Sequence, residues 1–185
     1  MKTVLKRILV IAVMLGTFTS YGNVYSEVIP NLDIINKGDL VSVYNAQGNI
    51  VYSDRVEYDG TLRTMFDFRN LKDGIYTIEI NKDFEIAVNT FKVNDKMVTF
   101  VEGAQKTIYK PVFRTKESKV LISKLALDSS KMEIKLYFKS DLIYSEKVTG
   151  TGIINRVYKL DETEHGEYTA VIRANGRVYI ENFKL

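Results

Sequence analysis

Gly74-Ile-Tyr-Thr-Ile-Glu-Ile80 and, 92 residues later, Gly166-Glu-Tyr-Thr-Ala-Val-Ile172 decide the fold. In both, a glycine closes a polar turn and a tyrosine opens a run of alternating inward residues, which is strand grammar. The same offset relates Ile50-Val-Tyr-Ser-Asp-Arg-Val56 to Leu142-Ile-Tyr-Ser-Glu-Lys-Val148, and Thr90-Phe-Lys-Val93 to Asn182-Phe-Lys-Leu185. Across 50–93 and 142–185 no gap is needed, and 10 of 44 positions are identical. Two unrelated β-rich stretches do not hold one offset that long, so the chain reads as an internal duplication. Before Ile50 the offset becomes 93, aligning Val41-Ser-Val-Tyr44 with Ile134-Lys-Leu-Tyr137.

Period-2 alternation recurs at Val41/Val43, Leu62/Thr64/Phe66/Phe68, Ile134/Leu136/Phe138 and Ile154/Arg156/Tyr158/Leu160. Turn signals such as Gln47-Gly-Asn49, Lys72-Asp-Gly74 and Ala174-Asn-Gly176 separate the runs. No sustained helical period follows residue 22. The expected fold is therefore all-β, with two tandem Ig-like or fibronectin-like sandwiches, 23–102 and 106–185, joined by Val101-Glu-Gly-Ala-Gln105. Ile86 and Val88 are out of phase with Phe91 and Val93, as are Val178 and Ile180 with Phe183 and Leu185. A β-bulge near Asn89 and Glu181 would aim all of them inward, as would a strand that changes sheets.

The first 22 residues read as a signal peptide. Lys2, Lys6 and Arg7 precede an apolar run of about 11 residues, too short to span a bilayer comfortably, and Ser20 and Gly22 supply a cleavage site before Asn23. Of 26 Lys+Arg, removing these three leaves 23 against 23 Asp+Glu. The pI of about 8.9 thus belongs mostly to the leader. The mature chain has no basic stripe for nucleic acid and no transmembrane segment. With no Cys, disulfides, thiolate metal sites and cysteine nucleophiles are excluded. Export without disulfides suits a secreted, periplasmic or outer-membrane surface protein of a Gram-negative bacterium.

Tyr44-Asn-Ala-Gln-Gly-Asn-Ile-Val-Tyr52, followed by Leu71-Lys-Asp-Gly-Ile-Tyr-Thr-Ile-Glu-Ile80, resembles the C-terminal sorting domain of the type IX secretion system of Bacteroidetes. The resemblance implies a small Ig-like sandwich that directs passage through the outer membrane, followed by attachment or release. Two features depart from the family. The better-matching unit is internal, and the second has Tyr137-Phe-Lys-Ser-Asp141 in place of Asn-Ala-Gln-Gly. Secreted Ig-like proteins of the same bacteria are the closer comparison.

Catalytic chemistry finds little footing. His165, the lone histidine, lies in the turn Glu162-Thr-Glu-His-Gly166, and no Gly-x-Ser-x-Gly elbow accompanies it. Asp59, Asp67 and Asp73 face Thr151, Lys159 and His165 at the 92-residue offset, and read with Glu162 and Glu164 as surface acids. Asp33 and Asp39 are too loosely spaced for an EF-hand loop, leaving a weak Ca²⁺ site as a lesser alternative. No cofactor, metal or catalytic residue is expected. Among twelve tyrosines, Tyr52, Tyr76, Tyr144 and Tyr168 share parity with apolar neighbours and read as core-facing. Tyr44 and Tyr137 have outward parity and form the candidate contact surface. The expected function is a non-enzymatic structural or protein-interaction role, with another envelope or extracellular protein, or a glycan, as partner. Carbohydrate binding by exposed tyrosines and a secretion-sorting role are the alternatives.

Overall fold

The computed structural model describes residues 34–185, so the leader expected at 1–22 lies outside the described residues. The described chain is all-β, with several sheets in a sandwich-like arrangement. The first sheet runs in the order β3 (Ile50–Arg55), β2 (Leu40–Asn45), β5 (Gly74–Asn81), β6 (Glu85–Asn94) and β7 (Met97–Phe100). A small pair, β1 (Ile34–Ile35) with β4 (Gly60–Thr61), lies outside that sheet. The alternating strands bury one face each: Val41 and Val43 from β2, Tyr76, Ile78 and Ile80 from β5, and Phe91 and Val93 from β6. Ile35, Val56, Leu62 and Phe68 belong to the same cluster.

The second unit is dominated by one long hairpin, β10 (Lys119–Phe138) with β11 (Asp141–Lys159). Its pairing is interrupted between Ala126 and Ser130. Before that break β10 pairs with β9 (Val112–Lys116); after it, with β12 (Glu167–Ala174), which pairs with β13 (Arg177–Lys184). Val120 and Ile122 from before the break pack in one cluster with Met132, Ile134 and Ile172 from beyond it. An interrupted hairpin can supply both layers of a core without a separate strand for each.

Equivalent contacts recur at the 92-residue offset. Tyr76 lies opposite Phe91, rings stacked at 5.5 Å, and Tyr168 opposite Phe183, rings stacked at 5.4 Å. The Tyr76 hydroxyl donates to the Lys72 carbonyl at 2.8 Å, and the Tyr168 hydroxyl to that of Glu164 at 2.7 Å. The β2–β3 pairing slips by one residue between Val43 and Tyr44, and the β10–β11 pairing between Leu136 and Tyr137.

Four expectations need correction. The run Leu62–Phe68 is not a strand: Leu62–Met65 is one α-helical turn (α1), and Phe68–Asn70 a 3-10 turn. Leu62 and Phe66 are four apart, a spacing that serves two strand periods and one helical turn equally, and the Phe66 amide donates to the Leu62 carbonyl at 3.0 Å. No bulge forms at Asn89 or Glu181, because β5–β6 and β12–β13 run in unbroken register. Asn89 instead points inward, fully buried, its Oδ1 accepting the Thr90 amide, while Val178 and Ile180 stay outside. Tyr144 is not core-facing: it is 44% exposed and leans on Tyr158 at 5.3 Å. Finally, β8 (Lys106–Tyr109), grouped above with the second unit, hydrogen-bonds to β6 of the first sheet, with Ile108 opposite Ile86 and both buried. Pro111, which has no amide to donate, lies one residue beyond that strand, after Lys110.

Candidate functional site

A cleft of about 200 Å³ opens in the first unit. Ile35, Val41, Val56, Leu62 and Phe66 line it apolarly, and Tyr52, Asp54, Arg55, Glu57 and Tyr58 add polar groups. Backbone bonds hold one lip in place: Gly38 donates to Val56 and Val56 to Asp39, both at 2.8 Å. The Arg55 guanidinium donates to the Gly38 carbonyl at 2.7 Å. Asp39 accepts the Asn36 amide, and Asp59 the Lys37 amide at 2.7 Å. Tyr52 packs on Phe66, ring centroids 4.5 Å apart. Burial, and secondarily the Asp54 charge, push its phenol above the usual range.

The second unit places a different set of contacts at the corresponding sequence positions. At the 92-residue offset Tyr144 stands for Tyr52, Glu146 for Asp54 and Tyr158 for Phe66. There the Tyr158 hydroxyl donates to Glu146 Oε1 at 2.6 Å, Arg156 Nε donates to the same oxygen at 2.9 Å, and the Tyr144 hydroxyl reaches Oε2 at 3.3 Å. Burial and the hydrogen-bonded carboxylate drive the Tyr158 phenol far up. Phe66 has no hydroxyl to bond with Asp54, and the aspartate is one methylene shorter than Glu146. At the cleft of the first unit Asp54, Glu57 and Tyr58 are exposed, a combination suited to stacking on an apolar ring face while accepting hydroxyl hydrogens.

Tyr44 and Tyr137 are half-buried, on β2 and β10, and the structure does not bring them together in one sheet. The Tyr44 hydroxyl reaches Glu79 Oε2 at 3.5 Å, and the other oxygen of that carboxylate accepts from Arg177 of the second unit. Tyr179 follows on β13 with its hydroxyl buried and unpaired, its phenol raised chiefly by burial. A second hollow, about 270 Å³, lies between Lys106–Tyr109 and Lys124–Leu127 beside Asn175.

The acids singled out by sequence do structural duty. Asp59 holds the Lys37 amide, Asp73 accepts the Asp95 amide at 3.0 Å, and Asp67 binds Arg69 in an exposed pair. The Arg69 hydrogen bonds hold the Asp67 carboxyl below the usual range. His165 is exposed in its turn. Among the described residues no group of three or more His, Cys, Asp or Glu could hold a metal ion; Asp33 lies outside them. The cleft itself was not foreseen. The available signal was Tyr52-Ser-Asp-Arg-Val-Glu-Tyr58, two aromatics bracketing two acids and an arginine.

Residues 26–94 match the family described as the secretion system C-terminal sorting domain. The chain resembles these sorting domains. The matched stretch holds every residue that lines the cleft. No curated protein matches. Among solved structures, a "Biofilm associated protein - BSP domain" is 11% identical, covers 81% of this chain and has a TM-score of 0.29. The chain spans 25% of that structure's length. No helix among the described residues is long and apolar enough to cross a membrane.

Proposed function

We propose that this chain is a non-enzymatic module displayed in the cell envelope or at the cell surface, built by tandem duplication of a sorting-type Ig-like sandwich and working through protein contacts. The observation that carries the reading is the sorting-domain match over 26–94, together with the all-β architecture of the described residues. The duplication is supported by the matching tyrosine–phenylalanine stacks, tyrosine-to-carbonyl bonds and register slips of the two units. The Glu79–Arg177 pair between the units favours a spacer of fixed shape over two beads on a string. Tyr44 and Tyr137 remain the proposed contact residues outside the cleft.

Surface proteolysis and fractionation of producing cells, with and without a working type IX apparatus, tests the address. Crosslinking of the envelope fraction followed by mass spectrometry tests the role. Protein captured from the exterior fraction, lost when the apparatus is disabled, supports the reading. Retention in the cytoplasm, or turnover of a substrate by the purified chain, overturns it.

The open cleft favours a second reading, a glycan site in the first unit. Saccharide titration followed by tyrosine fluorescence tests it: binding should vanish in Tyr58→Ala and persist in Tyr137→Ala.

A further inference from the structure

The outer edge of β6 is filled along its whole length. Lys110 donates to the Phe84 carbonyl, β8 pairs with Glu85–Val88, Val101 donates to the Thr90 carbonyl, and β7 pairs with Phe91–Asn94. The strand at the same place in the second unit is β13, and among the described residues it pairs only with β12. The direction of its free groups follows from the hairpin. Gly166 and Leu185 exchange both backbone bonds, so the alternation of narrow and wide pairs makes 168/183, 170/181, 172/179 and 174/177 the bonded pairs. The amides and carbonyls of Val178, Ile180, Asn182 and Lys184 therefore point out of the sheet. The same residues carry the apolar exposure: Val178 is 53% and Ile180 59% exposed, whereas Ile86, at the position of Val178, is 2% exposed. No proline interrupts β13; on the face of Val178 and Ile180 its only charge is Lys184 at the far end, and Glu181 is exposed on the other face.

We propose that this edge pairs with β13 of a second copy of the chain, antiparallel about a two-fold axis at Ile180. A free edge needs a partner whose own unpaired groups fall in step, and β13 meets that condition with itself. In the register centred on Ile180, Ile180 opposes its copy and Val178 opposes Asn182, all residues with outward backbone groups. The apolar side chains of both copies join in one stripe across the axis. On the other face Tyr179 opposes Glu181 and Arg177 opposes Phe183, so no like charges meet. A register centred on Glu181 would set two carboxylates against each other. One centred on Tyr179 would run each strand into the partner's Asn175–Gly176 turn and shorten the ladder. The contact uses the same patch on both copies and closes as a dimer instead of propagating.

Sedimentation equilibrium of the purified chain, together with a cysteine crosslink, tests this. The chain has no Cys, so one introduced thiol reports alone. The parent should show a monomer–dimer equilibrium in the micromolar range. Ile180→Lys, which sets two ammonium groups face to face, should weaken it at least about tenfold. Circular dichroism should remain that of the parent, because the side chain is exposed. Ile180→Cys should oxidise to a disulfide-linked dimer, and Glu102→Cys, in an exposed loop away from the edge, should not. A parent that stays monomeric overturns the proposal. So does a dimer that Ile180→Lys leaves intact, or crosslinking equal at both positions.

Discussion

Arg177 Nη2 donates to Glu79 Oε1 at 2.5 Å, joining the turn end of β13 in the second unit to the outward face of β5 in the first. Both side chains are largely shielded, and the Tyr44 hydroxyl shares the same carboxylate. A charge pair removed partly from water couples its partners more than an exposed one, though part of the gain is spent on desolvation. Glu79→Ala and Arg177→Ala, combined in a double-mutant cycle, should show a coupling of about 1 kcal/mol in urea unfolding. Each single variant should also broaden the distance distribution between the units in small-angle scattering. Zero coupling with unchanged scattering would mean that the pair does not hold the units.

Tyr76 and Tyr168 should dominate the stability of their units. Each ring is stacked on a phenylalanine and each hydroxyl is spent on a carbonyl at the sheet margin. Truncation to alanine loses ring burial and leaves a cavity, a cost of about 3 kcal/mol. Phenylalanine keeps the ring, so Tyr76→Phe or Tyr168→Phe should cost about 1 kcal/mol, the usual value of one hydrogen bond. Tyr44→Ala and Tyr137→Ala should each cost less than about 1 kcal/mol and act on partner capture instead. Urea midpoints of the variants, measured beside binding to envelope extract, separate the two roles.

The paired glycines should behave differently. Gly166 has a φ of +156°, and a Cβ there would come within 3.0 Å of the Phe138 ring and 3.1 Å of the Lys139 chain. Gly74 has no positive φ, and its Cβ would meet only the Tyr76 ring at 3.5 Å, an ordinary contact. Gly166→Ala should therefore cost about 2 kcal/mol through crowding of the core edge. Gly74→Ala should be neutral or stabilising by about 0.5 kcal/mol, since it restricts the unfolded chain. Equal losses at both sites in thermal melts would contradict this asymmetry.

The strand alternation of β2, β5 and β12 was legible because a half-buried strand writes its inward residues at period 2 with little competition. Leu62–Phe68 was not, since the apolar spacing fits both a strand and a helical turn and only the neighbours decide. Tyr144 misled for a related reason. Parity tells which face a side chain takes, not whether anything covers that face, and near the start of β11 both faces are open, leaving Leu142, Ile143 and Tyr144 all exposed. The phase change at Asn89 looked like a bulge on the premise that every apolar residue belongs inside. Ile86 is instead buried on the opposite side, opposite Ile108 of β8, a long-range pairing that local pattern does not reveal. The cleft was hidden for the same reason. Its walls come from β1, β2, β3, the residues after β3 and the segment that follows β4, which are brought together only by the fold.

High pH should unfold the protein through its tyrosines. Burial raises the phenols of Tyr158, Tyr168, Tyr179 and Tyr52 above the ordinary value, with hydrogen bonding to Glu146 adding to the effect at Tyr158. A phenol raised in the folded state holds its proton where the unfolded chain has released it. The stabilisation is fully present below the unfolded value of about 10 and is lost progressively as pH climbs toward the folded value. Urea midpoints should thus be level from neutral pH to about 9 and fall steeply above about 10. Tyr158→Phe separates one contribution. It loses the hydrogen bond to Glu146, so it should be less stable than the parent by about 1–2 kcal/mol at neutral pH. It has no proton to release at that site, so its alkaline decline should be shallower and the two curves should converge above pH about 10. Parallel curves across that range would show that Tyr158 ionises alike in the folded and unfolded chains.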